Sequence, residues 1–184
     1  MTRIFLVFVT LVGLALVGSI VSGTVSWLNH GLTSPGSLYV THFVIGLFST
    51  VGVLFIHCLA ITYFLGTGRW VKETCVAYSL PDERWPRQTR DIKRGNTPYA
   101  ILAMLITIGT TAAGAARQHF DWPAWPHATL AAVTLAFNVV VWAIEYRNMK
   151  TNHRILDEVY AETERMRAEA GLPSSEEVLR EGQG

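Results

Sequence analysis

The chain has 184 residues, half of them hydrophobic and only 16% charged, with 15 Lys and Arg against 14 Asp and Glu. A soluble domain carries nearer ~25% charged residues, and so even a charge balance offers no basic surface for nucleic acid. Its two cysteines, Cys58 and Cys75, form no CxxC, CxxCH or finger spacing, so iron–sulfur clusters, covalently attached haem and structural zinc have no motif here, and no structural disulfide is expected.

The apolar excess is gathered into four blocks, at about 4–28, 38–65, 99–116 and 128–146, and up to Ile144 none of them contains Lys, Arg, Asp or Glu. A hydrocarbon core of ~30 Å needs ~20 helical residues, and lipid admits only helices or a closed barrel because every backbone polar group must be satisfied internally. The blocks lack the period-2 alternation of barrel strands. They predict an all-α integral membrane protein with four transmembrane helices.

The first block follows Arg3 and ends near the small residues Ser22 and Gly23. That pattern also fits a signal peptide, but the apolar run is longer than a usual h-region and is read as a retained span. Ala15, Ser19, Gly23 and Ser26 form a column of small residues, with Gly18 and Ser22 beside it, as expected of a helix-packing face in a membrane.

The second block contains HFVIGLFSTVGVLFIHC, residues 42 to 58. Fifteen residues at 100° each bring His42 and His57 to one face of a helix, ~22 Å apart along it, an arrangement by which one helix can serve two stacked haems. The third and fourth blocks hold no internal histidine. A second ligand for the deeper site would therefore have to come from Met104, at about the depth of His57, or from another chain.

Seven basic residues follow in 66–97: Arg69, Lys72, Arg84, Arg87, Arg90, Lys93 and Arg94. The 29–37 connection has no charge, and 117–127 has only Arg117 and Asp121. The positive-inside rule puts 66–97 in the cytoplasm of a cell whose inner membrane holds the protein. Arg3 before the first span, and Arg147, Lys150 and Arg154 after the fourth, agree with it, so both termini are expected inside. Within GTGRWVKE, Gly66 and Gly68 suit a turn at the helix exit, while Arg69, Trp70 and Lys72 are placed to meet lipid headgroups. Pro81, Pro86 and Pro98 argue against one long helix in this loop and for a short interfacial one.

In the third block Thr107, Thr110, Thr111 and Gly114 repeat the small-residue theme, with hydroxyls expected to bond back to the preceding turn. Trp122 and Trp125, each followed by proline, read as interfacial anchors. By depth, His30, His42, His119 and His127 share the outer interface, where His30, His119, Asp121 and His127 form a candidate group for zinc, copper or the edge of a haem. The plainer reading is four solvated interfacial histidines.

The fourth block carries Asn138 near its middle and Glu145 near its inner end. An amide or an imidazole at that depth needs partners, so His57 is expected neutral and bonded to Asn138 or Glu145. Beyond it, Ile155, Val159, Met166 and Ala170 share one face of a helix that should stop at Gly171 and Pro173. SSEEVLRE then starts a last piece at Ser174 or Ser175. The expected organisation is a membrane domain at 1–149 and a cytoplasmic amphipathic tail at 150–184. That arm needs something to pack against: another subunit, a second copy, or the basic loop of its own chain.

No nucleophile–base–orienter set and no pair of membrane carboxylates appears, so the chain is read as non-enzymatic. The leading expectation is an accessory membrane subunit that docks a protein partner or a second copy through 150–170 and 66–97. One alternative is a small haem b or metal protein of electron or quinol transfer, with His57, His42 and Met104 as candidate ligands. A second is an oligomeric ion or proton channel whose path is lined by Thr107, Thr111, Asn138 and His57.

Overall fold

A computed structural model describes residues 2–28, 37–80, 84–120 and 122–181. Among them the chain is helical with no strand: α1 (Thr2–Leu28), α2 (Ser37–Ala77), α3 (Trp85–Phe120), α4 (Ala124–Glu169) and the short α5 (Ser175–Glu181). The first four are each long and apolar enough to cross a membrane. The chain forms two compact units, one of Met1–Ile61 with Asn96–Arg147, the other of Thr62–Gly95 with Asn148–Gly184.

The first unit holds α1 and the portions of α2, α3 and α4 that fall within those limits. Its polarity is the reverse of a soluble bundle. Ser49, His57, Thr107, Thr134, Asn138 and Glu145 are buried, while Leu11, Leu14, Phe48, Val51 and Leu105 are exposed. Lipid tails are as apolar as leucine, so helices gain by close backbone approach and interior hydrogen bonds. Gly52 shows the first of these: a Cβ there would lie 2.7 Å from Cγ2 of Val12 on α1.

Pro98 does not end a helix as expected; it lies inside α3. Its side is exposed, and Ala100 and Ala103, both 0% exposed, pack the following turn. An interior proline costs ~3 kcal/mol, and this packing contributes toward offsetting it. Pro86 sits in the first turn of α3, where its missing N–H would have had no intrahelical partner.

The second unit contains most of the stretch read from sequence as a basic loop, and it is helical. Gly66 and Gly68 do not turn the chain; α2 runs through them to Ala77. Two helical glycines cost roughly 1 kcal/mol each, which is outweighed by burial of Val71, Cys75, Leu80 and Trp85 against Ile155 and Val159 of α4. Polar ties join the same elements. Trp85 Nε1 donates to Glu158 (3.1 Å), Asn152 Nδ2 to Thr67 (2.9 Å) and Arg167 to the Tyr78 hydroxyl (3.1 Å).

The helix ends in this unit have specific chemistry. α2 closes with Ser79 at φ 53° and Leu80 N–H on the Cys75 carbonyl (2.8 Å), a Schellman closure in which Leu80 is buried. α4 closes the same way at Gly171 (φ 67°), with Leu172 N–H on the Arg167 carbonyl (2.9 Å). Ser174 and Glu177 exchange backbone bonds of 3.2 and 2.8 Å, the capping box of α5.

Candidate functional site

Two groups of polar side chains lie inside the first unit. The deeper is centred on His57, which is 0% exposed. Its Nδ1 lies 2.9 Å from Oε1 of Glu145, and its Nε2 2.9 Å from Oδ1 of Asn138. Asn138 in turn donates through Nδ2 to the Thr134 carbonyl (2.8 Å) and to the Thr107 hydroxyl (3.3 Å). Trp142 stacks on the imidazole, with centroids 6.4 Å apart and planes 25° apart.

This network dictates where protons sit. A backbone carbonyl only accepts, so the Asn138 amide nitrogen must face Thr134 and its oxygen must face His57. His57 Nε2 therefore carries a hydrogen. The Nδ1···Oε1 contact then also requires one, because two bare lone pairs would repel. Either the imidazolium faces a carboxylate, or the Nε2–H imidazole faces a carboxylic acid. Both forms are neutral as a pair, which is the affordable state for two ionisable groups taken out of water. Oε2 of Glu145 is buried with no hydrogen bond to any described residue, although Asn96 stands beside the carboxyl.

The second group surrounds a cavity of about 550 Å³ lined by His42, His127, Ser19, Gly46, Thr50, Thr107, Thr110, Thr111, Gly114, Arg117, Trp122, Ala131 and Thr134, with Leu16, Ile20, Phe43 and Leu47 among its apolar residues. The two imidazoles are seated alike. His42, near the start of α2, places Nδ1 2.8 Å from the Ser19 carbonyl of α1. His127, near the start of α4, places Nδ1 3.1 Å from the Thr110 carbonyl of α3. A glycine four residues after each of those carbonyls makes room for the ring. A Cβ at Gly23 would lie 2.8 Å from Cε1 of His42, and a Cβ at Gly114 would lie 2.8 Å from Cε1 of His127.

The likeness extends through both hairpins. Leu14, Gly18, Ser19 and Gly23 of α1 match Leu105, Gly109, Thr110 and Gly114 of α3 at identical spacing, and each histidine is followed by a small residue, Gly46 or Ala131, one turn later. The ring centres of His42 and His127 are 6.1 Å apart with planes at 78°. Each Nδ1 faces a carbonyl and so bears the hydrogen. In the neutral ring Nε2 then presents a lone pair, and it meets no hydrogen-bond partner among the described residues. An Nδ1–H held by a backbone carbonyl is the outer-shell arrangement that orients metal-ligating histidines.

Several residues singled out from sequence are placed apart. Met104 does not stand with His57; its sulfur is 4.0 Å from Sγ of Cys58, and both nitrogens of His57 face oxygen. His30 and Asp121, and the side chain of His119, lie outside the described residues. Among the described residues no group of three or more His, Cys, Asp and Glu forms a metal cage. In the second unit Arg69 pairs with Glu73 at 2.7 Å on the surface, and Trp70 and Lys72 are exposed. Depth counting had put His42 and His127 at one level, but only the matched Gly-Ser/Thr spacing in α1 and α3 would have paired them laterally. Comparison with protein-family models, with curated proteins and with solved structures finds no match for this chain.

Proposed function

We propose that this chain is an α-helical protein of the cytoplasmic membrane, oriented with both termini and 66–97 in the cytoplasm. Within that class we read it as an electron-transfer protein that binds a b-type haem between His42 and His127. The orientation rests on the seven basic residues of 66–97 against the near-absence of basic charge in 29–37 and 117–127. It puts the cavity in the outer half of the bilayer and the amphipathic continuation of α4 inside.

The observation that carries the haem reading is the pair of matched histidine seats facing one cavity. With metal–nitrogen distances of ~2.0–2.1 Å, two imidazoles on opposite sides of one metal have centres about 6.3 Å apart, and two at a tetrahedral angle about 5.2 Å. The observed 6.1 Å supports a reading in which both imidazoles would hold one metal centre. Gly46 and Ala131 keep the turn beyond each histidine narrow, and Leu16, Ile20, Phe43 and Leu47 offer an apolar wall. Arg117 supplies a cation suited to a propionate. With no CxxCH in the chain, the group would be held by these ligands alone.

When bound, such a haem supplies one-electron chemistry. The chain's own residues do the rest: Ser19 and Thr110 carbonyls fix the ring tautomers, Gly23 and Gly114 set the ring positions, and the exposed apolar faces of α1–α4 keep the site in a membrane. The docking reading loses its main motive, since Ile155 and Val159 of the arm are buried in its own unit. Protein purified from haem-replete cells should show a Soret band that shifts on reduction, absent from His42→Ala and from His127→Ala. A wild-type protein that stays colourless after incubation with hemin would overturn the reading.

A further inference from the structure

The His57–Glu145 pair is separate from the cavity ligands and has no part in holding a haem. From the geometry we infer that it is a proton-uptake site, which accepts one proton at Oε2 of Glu145 when negative charge enters the neighbouring cavity. Its link to electron arrival rests on the haem reading above; the proton site itself does not.

Three observations carry this. The pair is 0% exposed on both sides, so charge gained nearby is poorly screened by solvent and favours protonation of a buried group beside it. The resting network already holds hydrogens at His57 Nε2 and on the Nδ1···Oε1 contact, and one buried carboxyl oxygen, Oε2 of Glu145, makes no full hydrogen bond to a described residue, with the Asn96 amide beside the carboxyl. And His57 is two hydrogen bonds from the cavity wall, through Asn138 to Thr107, which lines it. The groups facing the pair add no further charge. From α3 come Asn96 and Thr107, from α4 Asn138 and Trp142, and among the described residues the charged partner acting on Glu145 is His57. From α1, Gly13 approaches Trp142. His42 and His127 belong to the cavity.

The balance is simple. If the cavity holds a one-electron group, an electron given to it by an external one-electron reductant would be balanced by one proton from bulk water adding to Oε2. The pair becomes an imidazolium beside a carboxylic acid, with Nδ1–H donating to Oε1. No bond within the protein breaks, and oxidation returns the proton to water.

The test is a redox titration of the purified full chain across pH, with dithionite and ferricyanide, on wild type and Glu145→Gln. Glutamine keeps the shape, and its amide can donate to Nδ1, so the bundle is retained; an unchanged Soret band reports that. Wild type should show a midpoint that falls tenfold in equilibrium constant per pH unit, about 59 mV for one electron, and Glu145→Gln should flatten it. A slope that persists in Glu145→Gln overturns the inference while leaving the haem reading intact. If wild type has no Soret band, the haem reading fails instead. The proton site is then read by infrared difference spectra on a pH jump, in which loss of a carboxylic C=O band in Glu145→Gln supports it and the absence of such a band in wild type overturns it. Should Glu145→Gln fail to fold, His57→Asn with the same readouts replaces it.

Discussion

His42 and His127 make the same bond from equivalent places in two helical hairpins: Nδ1 to the Ser19 carbonyl at 2.8 Å in one and to the Thr110 carbonyl at 3.1 Å in the other. Each ring is thereby tied to the helix before its own, in a tautomer that leaves Nε2 as a base. With ring centres 6.1 Å apart, neither histidine can be replaced by its partner, and each should be needed for ligand binding. The expected outcome is loss of the Soret band in His42→Ala and in His127→Ala, with at least a tenfold weaker hemin affinity in each. His57→Ala should keep the band, because both nitrogens of that ring already face Glu145 and Asn138. A spectrum lost in His57→Ala and retained in His42→Ala would reverse the assignment.

Gly23 and Gly114 are tested by adding one methyl group. A Cβ at either would stand 2.8 Å from a histidine Cε1, closer than van der Waals contact allows, and the ring must move because the added Cβ is fixed to the helix backbone. The chain should still insert, since alanine is the better helix former. Gly23→Ala and Gly114→Ala are therefore expected to give folded protein with shifted or lost absorption. Gly18→Ala and Gly109→Ala are the controls, for a Cβ there meets nothing within 4 Å. Equal spectra in all four variants would remove the glycine seats from the account.

Which parts of this were legible in the sequence follows from the physics of each. The four spans were, because a membrane demands long runs without charge, and so were the helix stop at Gly171 and the capping serine, whose chemistry is local. The continuation of α2 through 66–77 was not, and of 85–98 only a short interfacial helix was expected, not one continuous with the third span. Two glycines, three prolines and seven basic residues read as a loop, and only the burial of Val71, Cys75 and Trp85 against Ile155 and Val159 overrides them. His57 bonding to Asn138 or Glu145 was anticipated from depth, because a buried imidazole needs a polar partner; the structure gives it both. Convergence of His42 on His127 was not, because height along a helix says nothing about which face meets which. The repeated Leu-x3-Gly-Ser/Thr-x3-Gly of 14–23 and 105–114 carried that information.

Asn138 links the deep pair to the cavity wall, and its removal has a structural cost of its own. Asn138→Ala leaves His57 Nε2–H and the Thr134 carbonyl without their partner in a buried site. A buried unsatisfied donor costs ~1–3 kcal/mol in water-soluble proteins, and interhelical bonds in membranes average ~0.6 kcal/mol with a maximum near 1.7. A loss of about 1 kcal/mol is expected, read as lower thermal or denaturant resistance in micelles. Asn138→Asp should be worse than Asn138→Ala, because an acceptor-only group would face the Thr134 carbonyl. If alanine proves neutral, the amide contributes no net stability and the orientation argument for His57 weakens with it.

The orientation is settled by labelling. With Cys58 and Cys75 replaced by alanine, a single cysteine at Arg87 or at Trp125 gives two reporters, both exposed in the structure. The proposed orientation puts Arg87 in the cytoplasm, since translocating a segment with seven basic residues in 66–97 would carry its charge against the bias that sets topology. In the same orientation Trp125, 69% exposed and close to Trp122, is expected at the opposite interface. A membrane-impermeant maleimide applied to intact spheroplasts should therefore label the cysteine at Trp125 and spare the one at Arg87 until the membrane is opened. The reverse pattern would put the His42–His127 cavity in the cytoplasmic half and overturn the proposed orientation.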